Sequence, residues 1–366
     1  MKLRHSVDHI IPINLLYLLL LYSTKKVDAD SLIVDVIETV VSVAETVSSS
    51  YQNFKCRLQE CCYDVIMDID KFIYLVLEYL IHSQLYGQHL AKKVILKAIS
   101  SHWLNRNPNK ALVISLHGTP GTGKTYTSQM IAQSMFRKGE KSNYVHMLPS
   151  TLHFSDSRIV QQYKNDLKSW IRGNISLCDR NLFIFDEVDK APQTVFDVVK
   201  PFTDYHSNID GVDYRKSIFI FISNAAGGEV ADRTLEHYNR GDEREQITLE
   251  EMEEPIALNV YNSIGGMEES QLIASSLIDH FVPYLPLERK HVILCIEKYL
   301  KSRFVTPTKK RVESIADSMN YFPKSSGVYS SSGCKRVNQK VDLYLETEEL
   351  EEMPDLKTAK DNLDEL

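Results

Sequence analysis

Residues 117–128 read HGTPGTGKTYTS, with glycines at Gly118, Gly121 and Gly123 and then Lys124 and Thr125. Glycines so spaced let backbone N–H groups close on a polyanion with no side chain in the way. A helix starting directly after them adds favourable potential for phosphate. Lys124 offers a cation to the terminal phosphates and Thr125 a hydroxyl to a divalent metal. Gly118, Thr119, Pro120, Gly121, Thr122, Gly123, Lys124, Thr125 and Tyr126 therefore form a candidate nucleotide-binding loop.

Further on, LFIFDE (182–187) is an apolar run ending in two carboxylates. In a parallel sheet, acids at the carboxyl end of a strand face the crevice that holds the phosphates. Asp186 would act on the metal through its water shell, and Glu187 would orient or deprotonate an attacking water. FIFISNAAG (219–227) repeats the pattern, with Asn224 just beyond the run as an amide for the phosphate or the water.

Short apolar runs must position these groups. ALVISLH (111–117), NLFIF (181–185), SIFIFIS (217–223) and, more weakly, NYVHML (143–148) each precede a turn and a helical stretch. Strands alternating with helices predict an α/β domain, a parallel sheet covered on both faces. After about residue 276 the pattern turns helical, over 286–304, 308–320 and 334–350, which predicts a smaller helical domain. SSGVYSSSG (325–333) reads as a loop.

The ends differ from this middle. Lys2, Arg4 and His5 precede IIPINLLYLLLLY (10–22), which with VDA ending at Ala29 reads as a secretory signal peptide over 1–29; an uncleaved anchor is the alternative. Residues 31–47 place Asp35, Glu38 and Glu45 on one side of an apolar helix, fit to lie on a membrane surface or simply to dock. The formal charge of −7 is concentrated in residues 342–366, with ten acids against Lys357 and Lys360, so the remainder is near +1. No basic stripe points to nucleic acid. The last residues, LDEL, stand one letter from receptor-read retrieval signals. Six cysteines fit no zinc spacing. The disulfide candidates are Cys56, Cys61 and Cys62 among themselves, and Cys295 with Cys334.

The nucleotide motifs together resemble those of AAA+ ATPases. Residues 152–190, 199–227, 275–291 and 322–337, with CRLQECC at 56–62, are similar to torsins, the AAA+ branch of the endoplasmic reticulum lumen and nuclear envelope. The resemblance spans roughly residues 55–345 and implies a large nucleotide-binding domain over 51–275, a small helical domain over 276–345 and an acidic tail beyond.

It implies binding of ATP and Mg2+ at Lys124, Thr125 and Asp186, with Asp186 reaching the ion through water. Glu187 would serve hydrolysis, Asn224 would be a first sensor, and Lys335 in the GCK at 333–335 a second. A pairing of Cys295 with Cys334 would couple redox state to nucleotide binding, and Asn174 in NIS would carry a glycan. Torsin-like function further implies weak turnover alone, a homo- or hetero-oligomer, peripheral membrane association, and activation by the luminal domain of a membrane partner that donates an Arg.

Two features depart from such relatives. Thr125 stands where animal torsins usually carry Asn, and Leu277 and Ile278 stand where threading machines place an Arg. Arg289 is an in-chain substitute, or simply a surface Arg on an amphipathic helix. Tyr163 and Trp170 lack the aromatic-Gly setting of a pore loop. The competing readings are a nucleotide-gated assembly scaffold and an autonomous cytosolic P-loop enzyme.

Overall fold

The computed structural model describes residues 60–62, 69–263 and 265–352. The expected signal peptide, the 30–50 segment, Cys56 and the end of the acidic tail lie outside them. The chain divides into two compact units, Met1–Cys61 and Cys62–Leu366, and the architecture below belongs to the second.

Helices α1 (Ile69–Gln84) and α2 (His89–Leu104) lead into strand β1 (Leu112–Gly118) and helix α3 (Lys124–Met135). Then come β2 (Val145–Pro149), α4 (Val160–Leu177), β3 (Leu182–Asp186), β4 (Ile218–Ser223), α5 (Gly227–Arg240), α6 (Glu250–Asn262) and β5 (His280–Tyr284). The five strands form one parallel sheet in the order β2-β3-β4-β1-β5.

The strand sequences explain why both faces are covered. Alternate residues point to opposite faces. In β3 and β4 this sends Phe183, Phe185, Phe219 and Phe221 into one core layer and Leu182, Ile184, Ile218, Ile220 and Ile222 into the other. The register pairs Phe183 with Phe219 and Phe185 with Phe221, and the rings stack at 5.0 and 5.1 Å. Ile171 and Ile175 of α4 and Val230 of α5 close the phenylalanine layer, while Leu77, Ile95 and Ile131 of α1, α2 and α3 close the aliphatic one.

The expected strands are all present, but the sheet does not stop near residue 276. HFVPY forms β5, the edge strand beside β1, so the large domain runs on to Tyr284. Pro283 removes a ladder donor, which an edge strand tolerates and a central one does not. Five residues with an internal Pro therefore carry a weak strand signal. Asp279 anchors this edge, its Oδ2 accepting from Lys110 Nζ at 2.7 Å and from the Val113 amide at 2.8 Å. Lys110 is 8% exposed. Asp279→Ala would leave that ammonium buried without its anion, and should lower stability by about 2–3 kcal/mol in urea unfolding.

The C-terminal part is helical as expected, with α7 (Arg289–Ser302), α8 (Lys309–Asp317) and α9 (Val337–Glu352) packed around Ile296, Leu300, Ile315 and Val341. Helix α9 carries the start of the acidic tail, where Glu348 pairs with Arg311 and Asp342 with Arg303. The 325–333 stretch is more than a loop: β6 (Tyr321–Phe322) pairs with β7 (Tyr329–Ser330), and the Tyr329 hydroxyl, fully buried, donates to Thr234 O at 3.1 Å.

Two disulfides are described. Cys295 pairs with Cys334 as expected. Cys62, however, pairs with Cys178 rather than within its own cluster. Cys178 caps α4 next to β3, and the fold brings its Cα to 5.3 Å from that of Cys62, a bonding distance that sequence spacing cannot reveal.

Candidate active site

The loop between β1 and α3 is built as its glycines require. Gly121 and Gly123 have φ of 77° and 105°, left-handed values open to glycine at low cost. Lys124 begins α3 yet folds back over the loop. Its Nζ donates to Gly118 O at 2.6 Å, Thr119 O at 2.9 Å and Asn224 Oδ1 at 3.0 Å. It is 6% exposed, and burial lowers its pKa to about 8 against the pull of Asp186 and Asp189. An anion arriving at this loop meets an ammonium already desolvated and aimed.

At the end of β3 the two acids face different ways. Asp186 Oδ2 accepts from Thr125 Oγ1 at 2.9 Å, and its Oδ1 accepts from the Glu187 amide at 2.8 Å. Burial raises the Asp186 pKa, partly offset by those hydrogen bonds. Thr125 and Asp186 thus offer adjacent oxygens beside the loop. Mg2+, a hard cation that takes few protein oxygens and keeps phosphates and water, fits that donor set.

Glu187 occupies a left-handed conformation at φ 56°, a strain of about 1–2 kcal/mol for a side-chain-bearing residue. Its Oε2 accepts from Thr151 Oγ1 at 2.8 Å. Asn224 sits between the loop and the acids, its amide held by Asp189 Oδ1 at 2.9 Å, the same oxygen that accepts from Ser223 Oγ at 3.1 Å.

These groups line one cavity of about 810 Å³, with Gln84, Leu85 and Tyr86 along one side and Cys295, Lys298, Tyr299, Cys334 and Lys335 from the helical domain along another. The lid touches the loop directly, since the Cys334 amide donates to Gly121 O at 3.0 Å. A Cβ on Gly333 would stand 2.2 Å from that oxygen. Lys335 follows at the rim, exposed, and its charge lowers the Lys124 pKa. Tyr126 points to this side too, its hydroxyl bonded to Gln84 and accepting from Lys298 Nζ at 2.8 Å.

The fold thus gathers every residue expected of the nucleotide site. Others come only from tertiary packing. Gln88, 1% exposed, donates to Thr122 O and Leu285 O and accepts from the Leu285 amide, fastening the phosphate loop to the strand end beside it. Asp189 has a faint signal in sequence, as the third acid of DEVD. Thr151 and Gln88 have none.

Several expected residues lie elsewhere. Arg289 pairs with Glu313 at 2.5 Å and Asp317 at 2.6 Å and does not line the cavity, so the surface reading of it holds. Tyr163 and Trp170 lie within α4, Tyr163 against Phe154 and Trp170 against His146 and Phe183, as packing aromatics. Asn174 is in the penultimate turn of α4, its Nδ2 donating to Trp170 O at 2.8 Å.

Comparison with known proteins fits this geometry. The family model described as Torsin matches residues 56–185, and that described as Torsin-1A, C-terminal domain, matches residues 287–344. A Torsin-like protein of Caenorhabditis elegans is 45% identical over 294 residues, covering 80% of this chain and 82% of its own. The chain belongs to the torsin family. Torsins are AAA+ ATPases, a class that binds ATP with Mg2+.

The α/β AAA+ fold is shared with Hsp104 of S. cerevisiae in its ADP complex, at TM-score 0.55 and 17% identity over 82% of this chain. It is also shared with Hsp104 bound to ATPγS and casein, at TM-score 0.56 and 18% identity over 83%. The chain spans about half the length of each, 52% and 51%. No helix among the described residues is long and apolar enough to cross a membrane.

Proposed function

We propose that this torsin-family chain is an ATPase of the endoplasmic reticulum lumen and nuclear envelope, weakly active alone and switched on by a membrane partner that donates an Arg in trans. Gly118 to Tyr126 bind the nucleotide, and Lys124 neutralises its terminal phosphates. Thr125, and Asp186 through water, hold Mg2+, which when bound neutralises charge on the transferring phosphate. Glu187 orients the attacking water and takes its proton, while Asn224 positions water or phosphate. Lys335 approaches from the helical domain.

One observation carries the reading. The cavity has lysines at Lys124, Lys298 and Lys335 and the full acid pair, yet no arginine lines it among the described residues. Phosphoryl transfer spreads charge over the equatorial oxygens, and an Arg placed there is worth about 10³–10⁵ in turnover. An Arg brought by a partner would complete the site.

Hydrolysis would drive conformational work on proteins or membranes, in a homo- or hetero-oligomer peripherally bound to the membrane. The Cys295–Cys334 disulfide, whose second cysteine touches the phosphate loop, would link redox state to nucleotide binding, and Asn174 would be glycosylated. The contact of Cys334 with Gly121 also favours a second reading, a nucleotide-gated scaffold with incidental turnover.

Steady-state ATP hydrolysis separates the two. Turnover should be low for the chain alone and rise by at least about a hundredfold with the luminal domain of a torsin-type membrane activator, when that domain carries its Arg. A flat response to the activator would favour the scaffold. High turnover alone would mean an independent ATPase.

A further inference from the structure

The neighbouring carboxylates at the end of β3 are held by hydroxyls on opposite sides. Asp186 is bonded to Thr125, at the start of the helix that follows the phosphate loop. Glu187 is bonded instead to Thr151, in the single turn Ser150–His153 that follows β2. In the sheet order β2-β3-β4-β1-β5, β2 is the outer edge, whereas β1, which delivers the phosphate loop, lies two strands from β3 in the other direction. With strands about 4.8 Å apart, the loop is about 10 Å from β3 on the side away from Thr151. The register sets Pro149 opposite Asp186, so the residues that follow, Thr151 and Glu187, meet beyond the sheet's end.

We infer that Thr151 is a positioning residue that parks Glu187 toward the sheet's outer edge and so restrains hydrolysis. This rests on the reading of Glu187 as the group that activates water. With Oε2 committed to Thr151, the carboxylate must rotate away from that hydroxyl to meet a water in line with the terminal phosphate. The restraint is local and reversible. Thr151, Leu152 and His153 are all exposed, and Leu152 is 73% exposed, so no core packing fixes the turn that carries the hydroxyl. The nucleotide loop itself makes no hydrogen bond to Thr151 among the described residues. Loss of the hydroxyl should therefore change the chemical step and not ATP affinity.

The test is single-turnover hydrolysis of radiolabelled ATP by the full chain, with ATP affinity measured in parallel on a fluorescent analogue. Thr151→Val removes the hydroxyl and keeps the shape. It should raise the rate by about three- to tenfold, the range set by one partly exposed hydrogen bond to a charged group, with nucleotide affinity unchanged. Thr151→Ser retains the hydroxyl and should behave as the parent, and Thr151→Ala should match the valine variant. In the Glu187→Gln background, Thr151→Val should add nothing.

A valine or alanine variant that binds ATP normally but hydrolyses it no faster, or more slowly, overturns the inference while leaving Glu187 as the base. Undiminished turnover by Glu187→Gln alone would instead remove the functional reading and this inference with it.

Discussion

Glu187→Gln should lower ATP turnover by about two to four orders of magnitude, the usual contribution of a positioned general base, while ATP still binds. Glutamine has the shape of glutamate and can keep the bond from Thr151 through its amide oxygen. The left-handed backbone at 187 is as open to it as to the parent residue. What it loses is the ability to take a proton from water. Nothing on the binding side should change, because the phosphate loop, Lys124 and the Thr125–Asp186 pair do not depend on the Glu187 side chain. The measurement is single-turnover hydrolysis beside equilibrium ATP binding. A variant that binds and hydrolyses like the parent would show that another group activates the water.

Lys124→Met should weaken ATP binding by about a hundredfold or more, since it removes charge-assisted hydrogen bonds to the phosphates and keeps most of the side-chain volume. The same ammonium gives the affinity a pH dependence of fixed sign. In the free protein burial sets the Lys124 pKa at about 8, and bound phosphates favour the charged form and must raise it. Below about pH 8 the lysine is already protonated and affinity is at its full value. Above it, binding must first take up a proton, so the dissociation constant should climb by up to about tenfold per pH unit until the pKa of the complex is reached. Titration calorimetry from pH 6.5 to 9.5 would read this as proton uptake on binding in the parent. A parent curve no steeper than that of Lys124→Met would place the coupling elsewhere.

The phosphate loop could be read from residues alone because its function is local. Gly118 to Thr125 are consecutive, and glycine, lysine and threonine are needed at those spacings whatever surrounds them. Asp186, Glu187 and Asn224 could be read nearly as well, since each stands just past a strongly apolar strand, and in a parallel sheet such ends converge. The helical domain was equally plain from its periodicity.

Tertiary structure decided the rest. An edge strand containing Pro283 has too weak a pattern to declare itself, and only pairing with β1 makes it part of the sheet. Cys62 finds Cys178 across 116 residues because α4 ends beside it, a matter of chain path rather than of spacing. Arg289 proved to be tied to Glu313 and Asp317 and not to the nucleotide cavity, as the surface charge pairs of two packed helices dictate. Gln88 and Thr151 are ordinary residues in sequence and act through partners in other segments of the chain, Gln88 on Thr122 and Leu285, Thr151 on Glu187. A motif records which chemistry is available. The folded chain sets which way each group faces, because a hydrogen bond between distant segments exists only once the sheet has brought them side by side.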